Sequence, residues 1–155
     1  MKRSLSYVLL IITGLTLSLY GKGLAQSYNR DDILGIWLNE EKDAKVEIIR
    51  TDGKYYGKIV WLKEPNEDNG LPKIDDENPD KSLQKRPIMG LEILKGFTFY
   101  GGDTWEDGTI YDPKNGKTYK CIITIKSHEL LHIRGYIGRA WMGLGRTTEW
   151  IRTVL

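Results

Sequence analysis

Turn dipeptides between short runs of alternating apolar and polar residues constrain this fold more than any other feature. The pairs are Asp52-Gly53, Asp107-Gly108 and Asn115-Gly116. Such pairs favour tight hairpins because both central residues of the turn adopt a positive φ. After Asp31 the apolar spacing is mostly two and long helical patterns are absent. The sequence therefore predicts an all-β domain.

The hairpin around Asp52-Gly53 predicts its own register. Pairing the two flanking strands across this turn places Val46 opposite Ile59 and Ala44 opposite Trp61. All four side chains then share one apolar face, as expected for a sheet that covers a core. Trp61 is therefore predicted to point inward.

Two further hairpins share a central strand. The cross-strand pairs expected around Asn115-Gly116 and around residues 127–129 are Ile110–Cys121, Asp112–Tyr119, Cys121–Gly135 and Ile123–Ile133. These pairs place Asp112 and Tyr119 on the same buried face as Cys121 and Ile123. A slip of one residue would turn every side chain to the opposite face.

Eight strands are predicted in total, with one long connection at residues 63–90. Their expected ranges are 33–40, 44–51, 54–62, 91–100, 108–113, 117–126, 130–137 and 146–153. Sequential hairpins with one buried face favour an antiparallel up-and-down barrel of about eight strands. A two-sheet sandwich is the alternative.

Residues 1–25 have the pattern of a secretory signal peptide. Lys2 and Arg3 precede an apolar run at 7–20, and Gly23 and Ala25 are small residues before Gln26. A membrane anchor is the alternative, but the run is short for a spanning helix. We expect one exported domain at 26–155, periplasmic or secreted. Its net charge of −1, against +2 for the whole chain, gives no electrostatic reason to expect nucleic acid.

Seven short motifs, in order along the chain, resemble the DUF2147 family of exported bacterial proteins. They are Gly35-Ile36-Trp37, Asn78-Pro79-Asp80, Arg86-Pro87-Ile88-Met89-Gly90-Leu91, Ile110-Tyr111-Asp112-Pro113, Gly116-Lys117-Thr118-Tyr119, Arg134-Gly135-Tyr136-Ile137-Gly138 and Gly145-Arg146-Thr147. The resemblance implies a small exported β-barrel domain with no established activity.

Gly35-x-Trp37 also resembles the first-strand signature of lipocalins. In that superfamily the Trp packs beneath a basic residue from the last strand, at the closed end of the barrel. Arg152 is available for this role here. In an eight-strand meander the first strand starts, and the last strand ends, at the same rim. We therefore expect Arg152 to cover the Trp37 indole, a favourable cation–π arrangement.

The opposite rim is the predicted ligand-binding end. Trp61, Asp112 and Tyr119 are expected to point inward there, and the 63–90 segment is expected to cover them. The 138–145 connection brings Trp141 to the same rim. Arg86 is a further candidate from the covering segment. For Asp112 the competing interpretation is an Asp-Pro turn whose carboxylate binds nearby backbone N–H groups.

Catalytic and metal motifs are scarce in this sequence. No Ser lies in a G-x-S-x-G elbow. His128 and His132 would be about 13 Å apart along a strand, too far to share a metal. Cys121 is expected to be buried and inert. The acidic loop 75–80 lacks the EF-hand pattern; it is either a calcium site or a solvated loop in which Arg86 pairs with Asp80. No cofactor is expected.

Three functions follow from these observations. The first is a binding module that holds a small apolar or amphipathic ligand inside a lipocalin-like barrel. The second is an envelope interaction protein whose barrel interior is filled by side chains. The third, an enzyme that uses Asp112 with Arg86 or Arg134, has no supporting motif.

Overall fold

The computed structural model describes residues 27–155, and within them eight antiparallel strands form a closed barrel. The strands are β1 (Gly35–Leu38), β2 (Ala44–Thr51), β3 (Lys54–Leu62), β4 (Glu92–Gly101), β5 (Thr104–Asp112), β6 (Lys117–Ser127), β7 (Leu130–Tyr136) and β8 (Gly145–Thr153). Each strand pairs with the next, and β8 pairs with β1. The predicted up-and-down barrel is confirmed. The expected signal peptide at 1–25 lies outside the described residues.

Two of the predicted registers are present. Val46 faces Ile59 across β2 and β3, and Ile123 faces Ile133 across β6 and β7. All four side chains are buried. The alternation of apolar residues was sufficient to predict these two registers, because a slip of one position would have exposed the whole apolar face.

The predicted pairing of Ala44 with Trp61 is wrong, because β3 contains a bulge. Val46 still faces Ile59, but Lys45 faces Trp61 and Ala44 faces Leu62, so Val60 is an extra residue on β3. A bulge of one residue reverses the side-chain alternation beyond it. Trp61 therefore shares a face with Lys45, whose Nζ atom lies 5.1 Å from the indole centroid.

Asp107-Gly108 was predicted to be a turn, but it lies inside β5. The turn between β4 and β5 lies at Gly102 and Asp103, and Gly102 has a positive φ. Asp107, with φ of 62°, forms a bulge between the pairs Trp105–Ile123 and Gly108–Cys121. Asp107 has the positive φ that was predicted, whereas Gly108 does not, and the dipeptide forms a bulge and not a turn.

The hairpin between β5 and β6 is shifted by two residues from the prediction. Asp112 faces Lys117, and Ile110 faces Tyr119, so the loop contains the four residues 113–116. The Asp112 carboxylate accepts a hydrogen bond of 3.0 Å from the Lys114 backbone N–H, which favours the longer turn. A shift of two residues preserves the alternation, so Asp112 and Tyr119 keep their predicted face.

Aromatic side chains fill the closed half of the barrel. Trp37, Tyr55, Phe97 and Trp105 are all essentially inaccessible to solvent. The Tyr55 and Trp105 rings meet edge to face, with centroids 6.2 Å apart, a favourable aromatic geometry.

The closed end is sealed by the contact between Trp37 and Arg152. The Arg152 Cζ atom lies 4.1 Å from the indole centroid, and β1 and β8 place the two residues directly opposite each other. The guanidinium also donates hydrogen bonds to the backbone carbonyls of Leu34, at 2.8 Å, and Asp32, at 2.6 Å. The residues meet as the strand order predicts.

No helix within residues 27–155 has the length and apolar character needed to cross a membrane.

Candidate functional site

The open half of the barrel contains a cavity of about 1060 Å³. Its apolar wall includes Ile59, Ile110, Ile133 and Trp150, which come from four different strands. The cavity therefore depends on closure of the whole barrel. Its volume is at the upper end of the range for small-molecule sites, which is about 300–1,000 Å³.

Small residues explain why this half is hollow. Ala44, Gly135 and Thr148 line the cavity, whereas aromatic rings fill the closed half. A Cβ atom at Gly135 would lie 3.5 Å from the Ile110 Cγ2 atom, at ordinary van der Waals distance. The barrel thus has room for a side chain at Gly135, and the sequence leaves that room empty.

Asp112 and Tyr119 both line the cavity, near its rim. Asn115 connects them, because its side-chain amide donates to the Asp112 carboxylate at 2.8 Å and to the Tyr119 hydroxyl at 3.2 Å. Asp112 is thus a turn residue in the sense expected from its Asp-Pro motif.

Paired charges surround the mouth. Lys114 donates to the carboxylates of Asp43, at 2.8 Å, and of Glu41, while Arg146 donates to Glu40 at 2.8 Å. The three acids lie in the loop 39–43 between β1 and β2. Ion pairs therefore connect this loop across the mouth to the 113–116 loop and to β8.

These pairs shift the ionisation of the groups involved. Hydrogen bonds to Asp43 and Glu41 raise the pKa of Lys114. Burial acts to raise the pKa of Asp43, but the hydrogen bonds from Lys114 and Asn39 outweigh it and lower that pKa. The hydrogen bond from Arg146 lowers the pKa of Glu40. These shifts keep Lys114, Asp43 and Glu40 charged at neutral pH.

A buried polar network attaches the 63–90 segment to the barrel. Asp75 is fully buried and accepts hydrogen bonds from Tyr111 at 2.5 Å, Asn78 at 2.8 Å and the Arg86 Nε atom at 2.8 Å. The Arg86 Nη2 atom adds a second contact at 2.7 Å, so the ion pair is bidentate on the arginine side. Buried carboxylates require such partners.

This network corrects the expected pairing of Arg86 with Asp80. The arginine pairs with Asp75, and Asp80 accepts hydrogen bonds from the Ser82 backbone and hydroxyl. The acidic loop 75–80 is therefore organised by internal bonds. Within residues 27–155, no group of three or more His, Cys, Asp or Glu side chains is placed to hold a metal ion.

The remaining candidate residues lie in different places. Arg86 is absent from the cavity wall, as are Trp61 and Trp141, whereas Ile137 and Leu144 of the loop that carries Trp141 line the mouth. A ligand-binding role for Trp61, Asp112, Tyr119, Trp141 and Arg86 stays a prediction.

Sequence reasoning missed Trp150 and Thr148 in the cavity wall. The signal was present, because Arg152 was expected to cover Trp37 from the last strand. Alternation along that strand places Trp150 and Thr148 on the same face.

Nucleophilic chemistry has little support among the described residues. Burial raises the pKa of the Cys121 thiol to about 12, so the thiolate is not populated at neutral pH. His132 lies 3.2 Å from the Glu149 carboxylate, and His128 packs edge to face on Tyr28. Neither histidine lines the cavity.

Comparisons with known proteins agree with this architecture. The model of a family described as "Uncharacterized protein conserved in bacteria (DUF2147)" matches residues 35–152. Among solved structures, the chain is similar to a protein from the human pathogen Helicobacter pylori that is described as belonging to the lipocalin family. That match has 25% identity and a TM-score of 0.69, and it covers 77% of this chain and 82% of the other. No curated protein matches.

Proposed function

The chain belongs to the DUF2147 family, and from this premise we propose that it binds a small apolar or amphipathic molecule inside its lipocalin-like barrel. The observation that carries the proposal is the cavity of about 1060 Å³ in the open half. Its inner wall of isoleucine and tryptophan suits an apolar body, and burial of that body would drive binding.

The charged mouth favours an amphipathic ligand over a purely apolar one. Lys114 and Arg146 line the cavity together with the carboxylates that pair with them. A polar head group at this level would exchange hydrogen bonds with groups that are already solvated, so it would lose little hydration. The apolar tail would lie below, against Ile133 and Trp150.

The alternative of a filled barrel applies to only half of the molecule. Trp37, Phe97 and Trp105 fill the closed half, as the envelope interaction hypothesis requires. In the open half, the small residues Ala44, Gly135 and Thr148 line the wall beside Trp150, and a cavity remains. The cavity therefore favours the binding hypothesis.

Export is the second part of the proposal. Its support is the sequence pattern at 1–25, with small residues at Gly23 and Ala25. The mature protein would begin at Gln26 and act in the periplasm or outside the cell. N-terminal sequencing of the protein from its host tests this, and a chain that still begins at Met1 would contradict it.

Titration with matched amphiphiles tests ligand binding. Dodecanoate, dodecanol and dodecylamine share one tail and differ in head-group charge, so their relative affinities also identify the preferred head group. We expect a saturable change in tryptophan fluorescence that Trp150→Phe abolishes. Trp61→Phe is the matched control, because Trp61 lies outside the cavity wall, and it should keep the response.

The absence of a saturable response in the wild-type protein across this panel would contradict the proposal. So would a response that persists in Trp150→Phe and disappears in Trp61→Phe. Circular dichroism of both variants establishes that the barrel is intact. Native mass spectrometry of protein purified from its host would then identify a retained ligand.

A further inference from the structure

The loop 137–144 between β7 and β8 exposes four large apolar side chains at the mouth of the barrel. Ile137 is 63% exposed, Trp141 77%, Met142 51% and Leu144 62%. In a soluble protein, a cluster of exposed apolar side chains marks an interaction site more often than a solvated surface. Trp141 was expected to bind ligand, but most of its surface faces solvent.

Internal hydrogen bonds hold this loop in shape. The Ile137 backbone N–H donates to the Leu144 carbonyl at 3.0 Å, which closes the base of the loop. The Arg134 guanidinium donates to the Ala140 carbonyl at 3.3 Å, and residues Ala140–Met142 form a 3₁₀ turn. The structure therefore presents Trp141 and Met142 at the tip of a braced loop.

The charged residues of the loop and its flanking strand ends are basic, whereas the acids of loop 39–43 lie across the mouth. Residues 130–148 contain Arg134, Arg139 and Arg146 but no Asp or Glu. Arg146 is paired with Glu40, whereas no carboxylate of the described residues lies within ion-pair distance of Arg134 or Arg139. Exposed Trp and Met beside unpaired Arg is the combination that binds the interface of an anionic bilayer.

The apolar patch is also continuous with the cavity. Ile137 and Leu144 belong to the exposed patch and line the mouth. We propose that loop 137–144 docks on an anionic lipid bilayer, so that an amphiphile can pass between the bilayer and the cavity along apolar side chains. The transfer step rests on the proposed function, whereas docking does not.

The rest of the rim determines which side approaches the bilayer. Segment 63–90 carries seven Asp and Glu against five Lys and Arg, a net charge of −2, which an anionic surface would repel. Docking is therefore expected on the β7–β8 side of the mouth, with the segment directed away from the lipid.

Co-sedimentation with vesicles tests the docking. The probes are vesicles of phosphatidylcholine alone and of an equal mixture of phosphatidylcholine and phosphatidylglycerol. We expect binding to the mixed vesicles, at least a tenfold loss of partitioning in Trp141→Ser/Met142→Ser, and about a fivefold loss in Arg139→Gln, as expected for one basic residue near an anionic surface. The matched control is Val154→Ser/Leu155→Ser, which changes two exposed apolar residues beyond the end of β8 at the closed rim.

Three results would overturn the docking proposal. The first is no binding of the wild-type protein to the mixed vesicles, and the second is an equal loss of partitioning in the loop and control variants. The third is a dimer, detected by light scattering, that is lost in Trp141→Ser/Met142→Ser, because a second copy of the chain would then be the partner. Titration of the same loop variant with dodecanoate separates this proposal from the cavity function. Vesicle binding by a wild-type protein that binds no amphiphile would refute the cavity function alone.

Discussion

Trp37 and Arg152 show how one residue pair can close a barrel. The guanidinium covers the indole face and donates to backbone carbonyls of the residues 32–34 that precede β1. The indole N–H in turn donates to the Ile33 carbonyl at 2.8 Å. Arg152 therefore combines a cation–π contact with hydrogen bonds that neutral side chains of similar size cannot make.

We expect Arg152→Met to destabilise the protein by about 1–3 kcal/mol, because the substitution keeps most of the volume but leaves carbonyl groups without their donor. Urea unfolding followed by circular dichroism measures this. Lys126→Met, on the exposed surface of β6, is the control and should change the free energy of unfolding by less than about 0.5 kcal/mol. Equal stability of the two variants would contradict a structural role for Arg152.

Gly108 makes space for a ring in the closed half. A Cβ atom there would lie 2.4 Å from carbon atoms of the Phe97 ring, whereas at Gly135 it would meet neighbours at 3.5 Å or more. Gly108→Ala should therefore cost about 1–3 kcal/mol through overpacking, and Gly135→Ala should be close to neutral. Thermal unfolding of both variants checks this contrast. A neutral Gly108→Ala would mean that Phe97 can move aside.

At the scale of elements, hairpins with regular alternation were predictable and bulges were not. The pairs Val46–Ile59 and Ile123–Ile133 followed from apolar spacing. The extra residue Val60 carries no distinguishing signal, because Val is common at regular strand positions as well. The polar network around Asp75 was also unpredictable, since it joins residues 36 positions apart through side chains alone.

This network controls how the 63–90 segment is attached. Tyr111→Phe removes one donor to a fully buried carboxylate, for an expected cost of about 1–3 kcal/mol. Hydrogen exchange should become faster at Asp75 and Ile88, whose amides bond within the segment, before it changes in β6. Tyr136→Phe, at the rim, is the control. Unchanged exchange in Tyr111→Phe would show that other contacts hold the segment.

Acidic pH should release the loop 39–43 from the mouth. The pKa values of Glu40 and Asp43 are lowered in the folded protein, so their ion pairs contribute stability above the unfolded values of 4.5 and 3.8 and lose it as pH falls through the lowered folded values. Carboxyl carbon shifts measured by nuclear magnetic resonance give both midpoints. In Lys114→Met the Asp43 midpoint should rise, and an unchanged midpoint would contradict the assigned cause.

At the scale of the whole molecule, the two halves of the barrel serve different purposes. Aromatic rings and Arg152 fill and seal one end, while small residues at Ala44, Gly135 and Thr148 leave the other end hollow. The sequence placed Asp112 and Tyr119 at the open rim, where they line the cavity, but it left a hollow barrel and a filled one as alternatives. Interior volume depends on all eight strands at once, and no single hairpin register reveals it.

Gly135 offers a direct test of whether this space binds a ligand. A valine suits a strand, and its Cβ would enter the cavity beside Ile110 without the close contact found at Gly108. A ligand at one hundred times its Kd should stabilise the wild-type protein by about 2.7 kcal/mol. In Gly135→Val that stabilisation should fall sharply, with Gly135→Ala in between, while the ligand-free variants stay folded. Because each variant is compared with and without ligand, changes in its own stability cancel, and equal stabilisation of all three proteins would place the ligand outside the cavity.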